Sequence, residues 1–192
     1  MKNKGKQQRS RTTIETILTA AGRVLVTHGY EKATTNRIAA QAGYSVGTVY
    51  QYFENKEDIY GELVDQALAK LLAAAADCPV QETLERTLRQ LLARVLVALE
   101  QDTVLVQSIE SLLVGQFRHK RDLAFETLVE SISELLVHHK NEIVLDDHRM
   151  AARIIAGAAE GLANSGTTRL IGHEELEAQA LRLQLAYLTM QA

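Results

Sequence analysis

The stretch TTNRIAAQAGYSVGTVYQYFENKE, residues 34–57, decides the fold of this chain. It contains two short helical patterns, and each begins at a hydroxyl residue suited to cap a helix, first Thr34 and then Ser45. Gly43 lies between the two patterns and favours the left-handed backbone that ends a helix. Two short helices joined by a tight turn that contains glycine make a helix-turn-helix unit, and we predict one here.

Helical patterns extend to both sides of this stretch. A first helix is predicted from Ser10 to Gly29, and a long fourth helix from Asn55 to about Ala76, before the only proline, Pro79. Five further helices are predicted at roughly 81–100, 103–116, 120–141, 146–164 and 174–190. Because proline is rare and straight side chains are abundant, the predicted fold class is all-α with about nine helices.

The charge of the chain is unevenly distributed. Residues 1–60 carry nine Lys or Arg and five Asp or Glu, a net charge of +4, whereas residues 61–192 carry 12 and 19, a net charge of −7. The basic end can approach phosphates while the acidic end stays away from them. This asymmetry favours nucleic acid as a partner of the N-terminal part.

Other global features favour a cytoplasmic protein. The single cysteine, Cys78, cannot form an internal disulfide, and we expect it to be inert. No secretion signal or apolar run of membrane-spanning length is recognisable. We expect no cofactor, no bound metal and no catalytic residue.

The side chains of the second short helix suit contacts with double-stranded DNA. Thr48 is suited to touch a thymine methyl or a base edge, and Gln51 to pair with adenine. Tyr50, Tyr52 and Lys56 are suited to phosphate contacts, which fix the register of a protein on DNA. Short side chains let the start of this helix enter a major groove deeply: Ser45, Val46, Gly47 and Thr48.

The pattern Thr34-Thr35-x-x-Ile38-Ala39-x-x-Ala42-Gly43-x-Ser45-x-Gly47-Thr48-x-Tyr50-x-Tyr52-Phe53-x-x-Lys56-Glu57 resembles the DNA-binding signature of the TetR family. The resemblance covers about residues 10–60. It departs from the family pattern at Tyr44, where a small aliphatic residue is usual, and at Val46, where Lys, Arg or Pro is frequent. The resulting candidate DNA-binding residues are Thr35, Asn36, Arg37, Ser45, Val46, Gly47, Thr48, Tyr50, Gln51, Tyr52 and Lys56.

The resemblance also implies an organisation for the whole chain. It implies a helix-turn-helix DNA-binding domain at 10–55 and a ligand-binding and dimerisation domain at 56–192 that includes the linking helix. Residues 1–9, which have no apolar periodicity, are predicted to form a flexible basic arm. The function implied is that of a repressor, not an enzyme, which a small-molecule effector of unidentified structure releases from a palindromic operator. Activation instead of repression remains open.

The penultimate predicted helix is poor in bulky residues, which lets another helix approach closely. Packing within one chain is one explanation. The family resemblance favours a two-fold interface in which the last two helices meet those of a second subunit. The candidate interface residues are Ala156, Gly157, Glu160, Gly161, Leu181 and Leu185.

An effector pocket is harder to place from the sequence. Few aromatic residues follow position 60, which favours an aliphatic cavity over an aromatic cage for planar cations. Glu110 is a candidate polar contact, although a surface position is more usual for an acid. The candidate pocket residues are Leu68, Val106, Gln107, Glu110, Leu113, Phe117 and Phe125.

Two hypotheses from other classes stay open at this point. A metal-dependent hydrolase would use His138, His139, Asp146, Asp147 and His148, but no HExxH or GxSxG motif accompanies them. A helical ligand- or protein-binding module that does not bind DNA is the second alternative.

Overall fold

The computed structural model describes residues 2–100, 109, 112, 113, 115–164 and 172–190, and within them it leaves out the side chains of 2–7, 99, 100, 163, 164 and 173. These residues contain helices and no strand. The helices are α1 (Lys2–Lys32), α2 (Thr35–Ala42), α3 (Val46–Tyr50), α4 (Lys56–Ala76), α5 (Leu84–Glu100), α6 (Arg118–His138), α7 (His148–Asn164) and α8 (His173–Thr189). The all-α prediction is confirmed. The described residues hold eight helices, and most of the further predicted helix at 103–116 lies outside them.

The first helix differs from its prediction at the N-terminus. It begins at Lys2 and not near Ser10. The added residues, rich in Lys, Gln and Arg, are good helix formers, so they need no apolar face to continue a helix. Gly29 interrupts α1 with a φ of 71°, a value that glycine adopts far more readily than other residues. The flexibility predicted for 1–9 stays a prediction.

The chain divides into two compact units, the first from Met1–Leu68 and Asp102–Arg121, the second from Ala69–Gln101 and Asp122–Ala192. The boundary at Leu68 falls inside α4, so this helix belongs to both units. The predicted domain limits at 1–9, 10–55 and 56–192 stay predictions.

The core of the first unit fixes the positions of α2 and α3. Ile17 of α1, Ile38 of α2, Val49 of α3 and Ile59 of α4 are all fully buried. Each such aliphatic side chain contributes about 1.5–3 kcal/mol when it leaves water. The five-residue helix α3 is therefore held by its packing, because an isolated helix of that length is unstable in water.

The core of the second unit is built from α5 to α8. Helix α5 contributes four buried leucines to this core: Leu84, Leu88, Leu91 and Leu92. Cys78 is also buried in this core, and burial raises the pKa of its thiol. A thiol that stays protonated and covered is a poor nucleophile, as expected for an inert cysteine.

A polar cluster ties the start of α5 to the segment after α6. The Glu142 carboxylate accepts the Leu84 main-chain N–H at 3.1 and 3.0 Å, and its Oε1 lies 2.7 Å from His139 Nδ1. The other ring nitrogen of His139 lies 2.8 Å from the Thr87 hydroxyl. The Gln81 main-chain N–H donates to the same hydroxyl at 2.9 Å. The cluster satisfies a buried imidazole and caps a helix.

Glu142 is expected to make stability pH-dependent. The Leu84 N–H, and after it the hydrogen bond from His139, lower the pKa of Glu142 in the folded chain. A lowered carboxyl pKa stabilises the fold above the pKa of the unfolded chain, about 4.3, and this contribution is lost as the pH falls through the folded value. Thermal unfolding from pH 7 to 3 should show Glu142→Gln less stable by about 1 kcal/mol at pH 7 and less sensitive to acid.

The matched control is Glu134→Gln, at an exposed glutamate of α6. This substitution should leave the acid dependence of the parent chain nearly unchanged. Equal pH profiles for Glu142→Gln and the parent chain would contradict the assigned role of Glu142.

Candidate nucleic-acid interface

Local capping interactions build α2 and its end. The Arg37 main-chain N–H donates to the Thr34 hydroxyl at 3.3 Å, so Thr34 is the N-cap of α2, as predicted. Gly43 ends α2 in the left-handed conformation, with φ 72° and ψ 24°, and its N–H points at the carbonyls of Ala39 and Ala40. The predicted glycine cap is confirmed, because Gly43 has the backbone conformation that the end of α2 requires.

A second cap begins α3. The Thr48 main-chain N–H donates to Ser45 Oγ at 3.1 Å, and the two hydroxyls lie 2.9 Å apart. The sequence predicts this helix over Val46–Phe53, whereas α3 ends at Tyr50. The Tyr52 N–H donates three residues back to the Val49 carbonyl at 3.0 Å, the tighter bonding that is common where a helix ends. The predicted second helix is confirmed in position and is three residues shorter.

The outer face of α3 is left uncovered while its inner face is buried. Val49 is fully buried, whereas Tyr50 is 55% exposed and Gly47 and Gln51 are exposed. A Cβ added at Gly47 would meet only one atom of the described residues, Ser45 Oγ, at 3.8 Å, an ordinary contact distance. At Gly47, no bulky side chain of the described residues covers the outer face of α3.

The predicted DNA-binding residues fall into two groups by exposure. The exposed group is Asn36, Arg37, Ser45, Gly47, Tyr50 and Gln51, and the half-buried group is Thr35, Val46, Thr48, Tyr52 and Lys56. Val46 and Tyr52 pack against the core of the first unit. The Arg37 guanidinium donates to the Lys32 carbonyl, which ties α2 to the end of α1. Contact with DNA stays a prediction for all of them.

Lys56 has partners inside its own unit that the sequence did not reveal. Its Nζ donates to the Tyr30 carbonyl at 3.3 Å and lies 4.1 Å from the centre of the Tyr30 ring. The Tyr30 hydroxyl donates to Glu57 Oε1 at 3.0 Å. Burial raises the pKa of Tyr30, so this hydroxyl keeps its proton at neutral pH. Tyr30 was missed because its partners lie 26 and 27 residues away, although an aromatic directly after Gly29 was a local signal.

Comparison with known proteins matches the N-terminal part of the chain to a family. The tetR family of bacterial regulatory proteins matches residues 17–63, which hold α2, α3 and the contacts just described. Residues 17–63 are therefore a segment of the TetR type. A fatty acid metabolism regulator protein of Bacillus subtilis (strain 168) is 39% identical over 56 residues, which make up 29% of this chain and 29% of that protein. The chain thus matches less than a third of the length of this relative.

Two solved TetR-like structures resemble the chain over nearly its whole length. The fatty acid degradation regulator FadR from Bacillus halodurans is 24% identical, covers 90% of this chain and 94% of its own, and has a TM-score of 0.76. SmeT, the repressor of the Stenotrophomonas maltophilia multidrug efflux pump SmeDEF, is 22% identical, covers 93% and 91%, and has a TM-score of 0.74. These similarities show that the chain shares the fold of these two proteins.

The residues predicted for the effector pocket are distributed over both units. Leu68, Leu113 and Phe117 belong to the first unit, where Phe117 is buried. Its Cε1 lies 3.6 Å from the position that a Cβ on Gly61 would take, so this ring packs against α4. Phe125 packs against the core of the second unit. The other three predicted residues, Val106, Gln107 and Glu110, lie outside the described residues. The pocket stays a prediction.

The residues predicted for the TetR-type dimer interface differ in exposure. Ala156 and Leu181 are each only 3% exposed, because both pack in the core of their own unit. Glu160 and Gly161 are exposed, and Gly157 and Leu185 are half-buried. Large apolar side chains of α7 and α8 are exposed as well, namely Met150, Ile154 and Leu183. The interface stays a prediction. Ala156 and Leu181 pack inside the protomer.

The residues of the hydrolase hypothesis have structural partners or are scattered. His139 is buried between Thr87 and Glu142, and Asp147 Oδ1 accepts the Met150 N–H at 2.8 Å near the start of α7. His138 is exposed. The part of the chain that the structure describes brings no three His, Cys, Asp or Glu side chains together in a geometry that would hold a metal ion.

Over the described ranges, no helix combines the length and the apolar character needed to cross a bilayer.

Proposed function

We propose that the chain is a dimeric, DNA-binding transcriptional regulator that represses its target by occupying a palindromic operator. The observation that carries the proposal is the capped α2–α3 unit, in which Val49 is buried and the outer face with Gly47, Tyr50 and Gln51 is uncovered. The family match over residues 17–63 supports the same function.

In this proposal α3 enters the major groove with its N-terminal end. Gly47 and Thr48 lie at that end, so the main chain can approach the bases closely. Tyr50 and Lys56 contact phosphates and set the register. In a two-fold dimer the two copies of α3 reach successive major grooves about 34–36 Å apart, which requires an inverted repeat in the DNA.

We propose α7 and α8 as the helices that pair with a second subunit. Their exposed apolar side chains, Ile154 and Leu183, are 44% and 53% exposed. Gly161, two turns after Ile154 on α7, is exposed and leaves room for close approach. A pair of such helices from each subunit forms a four-helix interface.

The proposed effector is a small molecule with an aliphatic part. The chain has few aromatic side chains after residue 60, which suits an aliphatic cavity better than an aromatic cage. Two relatives are named as regulators of fatty acid metabolism or degradation, and SmeT is also known as a complex with triclosan. The effector would favour the state that does not bind DNA, typically by about 1–3 kcal/mol.

We further propose that the regulator is not an enzyme and that it acts in the cytoplasm. A helical binding module without DNA binding is the second candidate function. It would keep the same fold but would have no preference for any DNA sequence.

Selection of bound sequences from a random DNA pool tests the proposal, with a Tyr50→Ala, Lys56→Ala variant run beside the parent chain. Enrichment of an inverted repeat by the parent and not by the folded variant is the expected result. Failure of the folded parent chain to enrich any sequence would contradict the proposal and favour the binding module.

A further inference from the structure

Tyr30 encloses the ammonium group of Lys56 from two directions. The main-chain carbonyl of Tyr30 accepts one N–H of Lys56 at 3.3 Å, and its ring lies 4.1 Å from Nζ. An ammonium group carries three N–H donors, so the carbonyl uses only one of them. The lysine side chain is half-buried, and the carbonyl and the ring of Tyr30 both hold its ammonium group.

Tyr30 is itself firmly placed. Its carbonyl also accepts the Ala33 N–H at 3.1 Å, which fixes the main chain just after the kink at Gly29. Its ring meets the ring of Tyr60 edge-on, with centroids 5.3 Å apart and planes at 67°. Tyr60 is fully buried, and its hydroxyl donates to the Ala21 carbonyl at 3.2 Å. Lys56 therefore rests on a surface that the core of the first unit holds in position.

The hydroxyl of Tyr30 also binds Glu57, the acidic residue that follows Lys56 in the sequence. It donates to Glu57 Oε1 at 3.0 Å. No carboxylate among the described residues forms an ion pair with Lys56. The positive charge of Lys56 is thus held in place without being neutralised by a partner acid.

We propose that Tyr30 is a positioning residue for the contact between Lys56 and a DNA phosphate, an inference that rests on the proposed DNA-binding function. A free lysine side chain has several rotatable bonds and loses much conformational freedom when it binds a phosphate. The ring and carbonyl of Tyr30 restrict that freedom before DNA arrives. The other two N–H donors of the ammonium group remain available for charge-assisted hydrogen bonds to the phosphate.

A double-mutant cycle on the selected operator tests this role. Tyr30→Leu should weaken operator binding about fivefold in the parent chain, the range expected for loss of a cation–π contact. In the Lys56→Met background the same change should have almost no further effect, since there is no ammonium left to position. Equal losses in both backgrounds would show that Tyr30 only supports the fold, and would overturn the proposal.

Fluorinated side chains provide a test that does not remove the ring. Phenylalanine and pentafluorophenylalanine at position 30 have nearly the same shape, but fluorination reverses the charge distribution of the ring face that attracts cations. Operator affinity should fall from Tyr30→Phe to the fluorinated chain while the thermal midpoint stays the same. Equal affinities of the two chains would contradict the proposal.

These outcomes separate the role of Tyr30 from the function on which it rests. If the parent chain binds no DNA sequence preferentially, the proposed function fails and Tyr30 has no phosphate contact to position. If the parent chain binds its operator and the cycle is additive, the function stands and the role of Tyr30 is rejected.

Discussion

The Gly47→Ala variant is expected to fold normally and to bind the operator at least tenfold more weakly than the parent chain. Among the described residues the added methyl meets only Ser45 Oγ, at 3.8 Å, which is an ordinary contact distance. Alanine also favours a helix over glycine by up to about 1 kcal/mol, so thermal stability should be equal or slightly higher. On DNA the methyl would separate α3 from the bases, and each lost base contact weakens binding by about 1–3 kcal/mol.

Titration of labelled operator DNA, together with thermal unfolding of the same samples, measures both effects. Gln41→Ala is the matched control, because Gln41 is an exposed residue of α2 that is not among the predicted contacts. Its affinity should equal that of the parent chain. A stable Gly47→Ala variant with unchanged affinity would show that α3 does not approach DNA at this position.

The Leu183→Arg variant should be monomeric and should lose at least about a hundredfold in operator affinity. Leu183 of α8 is 53% exposed, so an arginine at this position is tolerated by the protomer. In the proposed dimer it would place two like charges against an apolar face, where unpaired charges are strongly unfavourable. A monomer binds one half-site, and the loss of the linked second contact lowers affinity by factors of about 10²–10⁴.

Leu123→Arg provides the same change of side chain at another exposed leucine. Leu123 is on α6 and is 71% exposed, outside the proposed pair of helices. Sedimentation of both variants at equal concentration should give a dimer for Leu123→Arg and a monomer for Leu183→Arg. A dimeric Leu183→Arg variant with full operator affinity would place the subunit interface elsewhere.

The local rules that the sequence follows were enough to predict the helix-turn-helix. Thr34, Gly43 and Ser45 act within four residues of their own positions, and their caps formed as predicted. The burial of Val49 follows from the same short-range periodicity. Features of this kind require no knowledge of the rest of the chain.

Long-range partners were not predictable from one sequence. Lys56 meets Tyr30 across 26 residues, and His139 meets Thr87 across 52. Helical and strand periodicities relate only residues that are a few positions apart, so they indicate neither contact. The sequence suggests His139 as a metal ligand or catalytic group because of its residue type, whereas its hydrogen bonds to Thr87 and Glu142 give it a structural role.

The helix faces at α7 and α8 show a further limit. Small residues indicate close packing, but the pattern does not say whether the neighbour belongs to the same chain. Ala156 and Leu181 pack within the protomer, while Ile154 and Leu183 on the same helices remain exposed. When a helix has two apolar faces, the sequence alone does not show which face packs within the protomer and which is left for a second subunit.

The most direct test of the central claim is a titration of the selected operator with altered half-site spacing. A two-fold dimer that reads successive major grooves with α3 should lose specific binding when about five base pairs, half a helical turn, are inserted between the half-sites. An equal number of base changes in the centre without insertion should be tolerated better. Specific binding that is unaffected by the insertion, or equally tight on a single half-site, would contradict a dimer that reads two half-sites with α3.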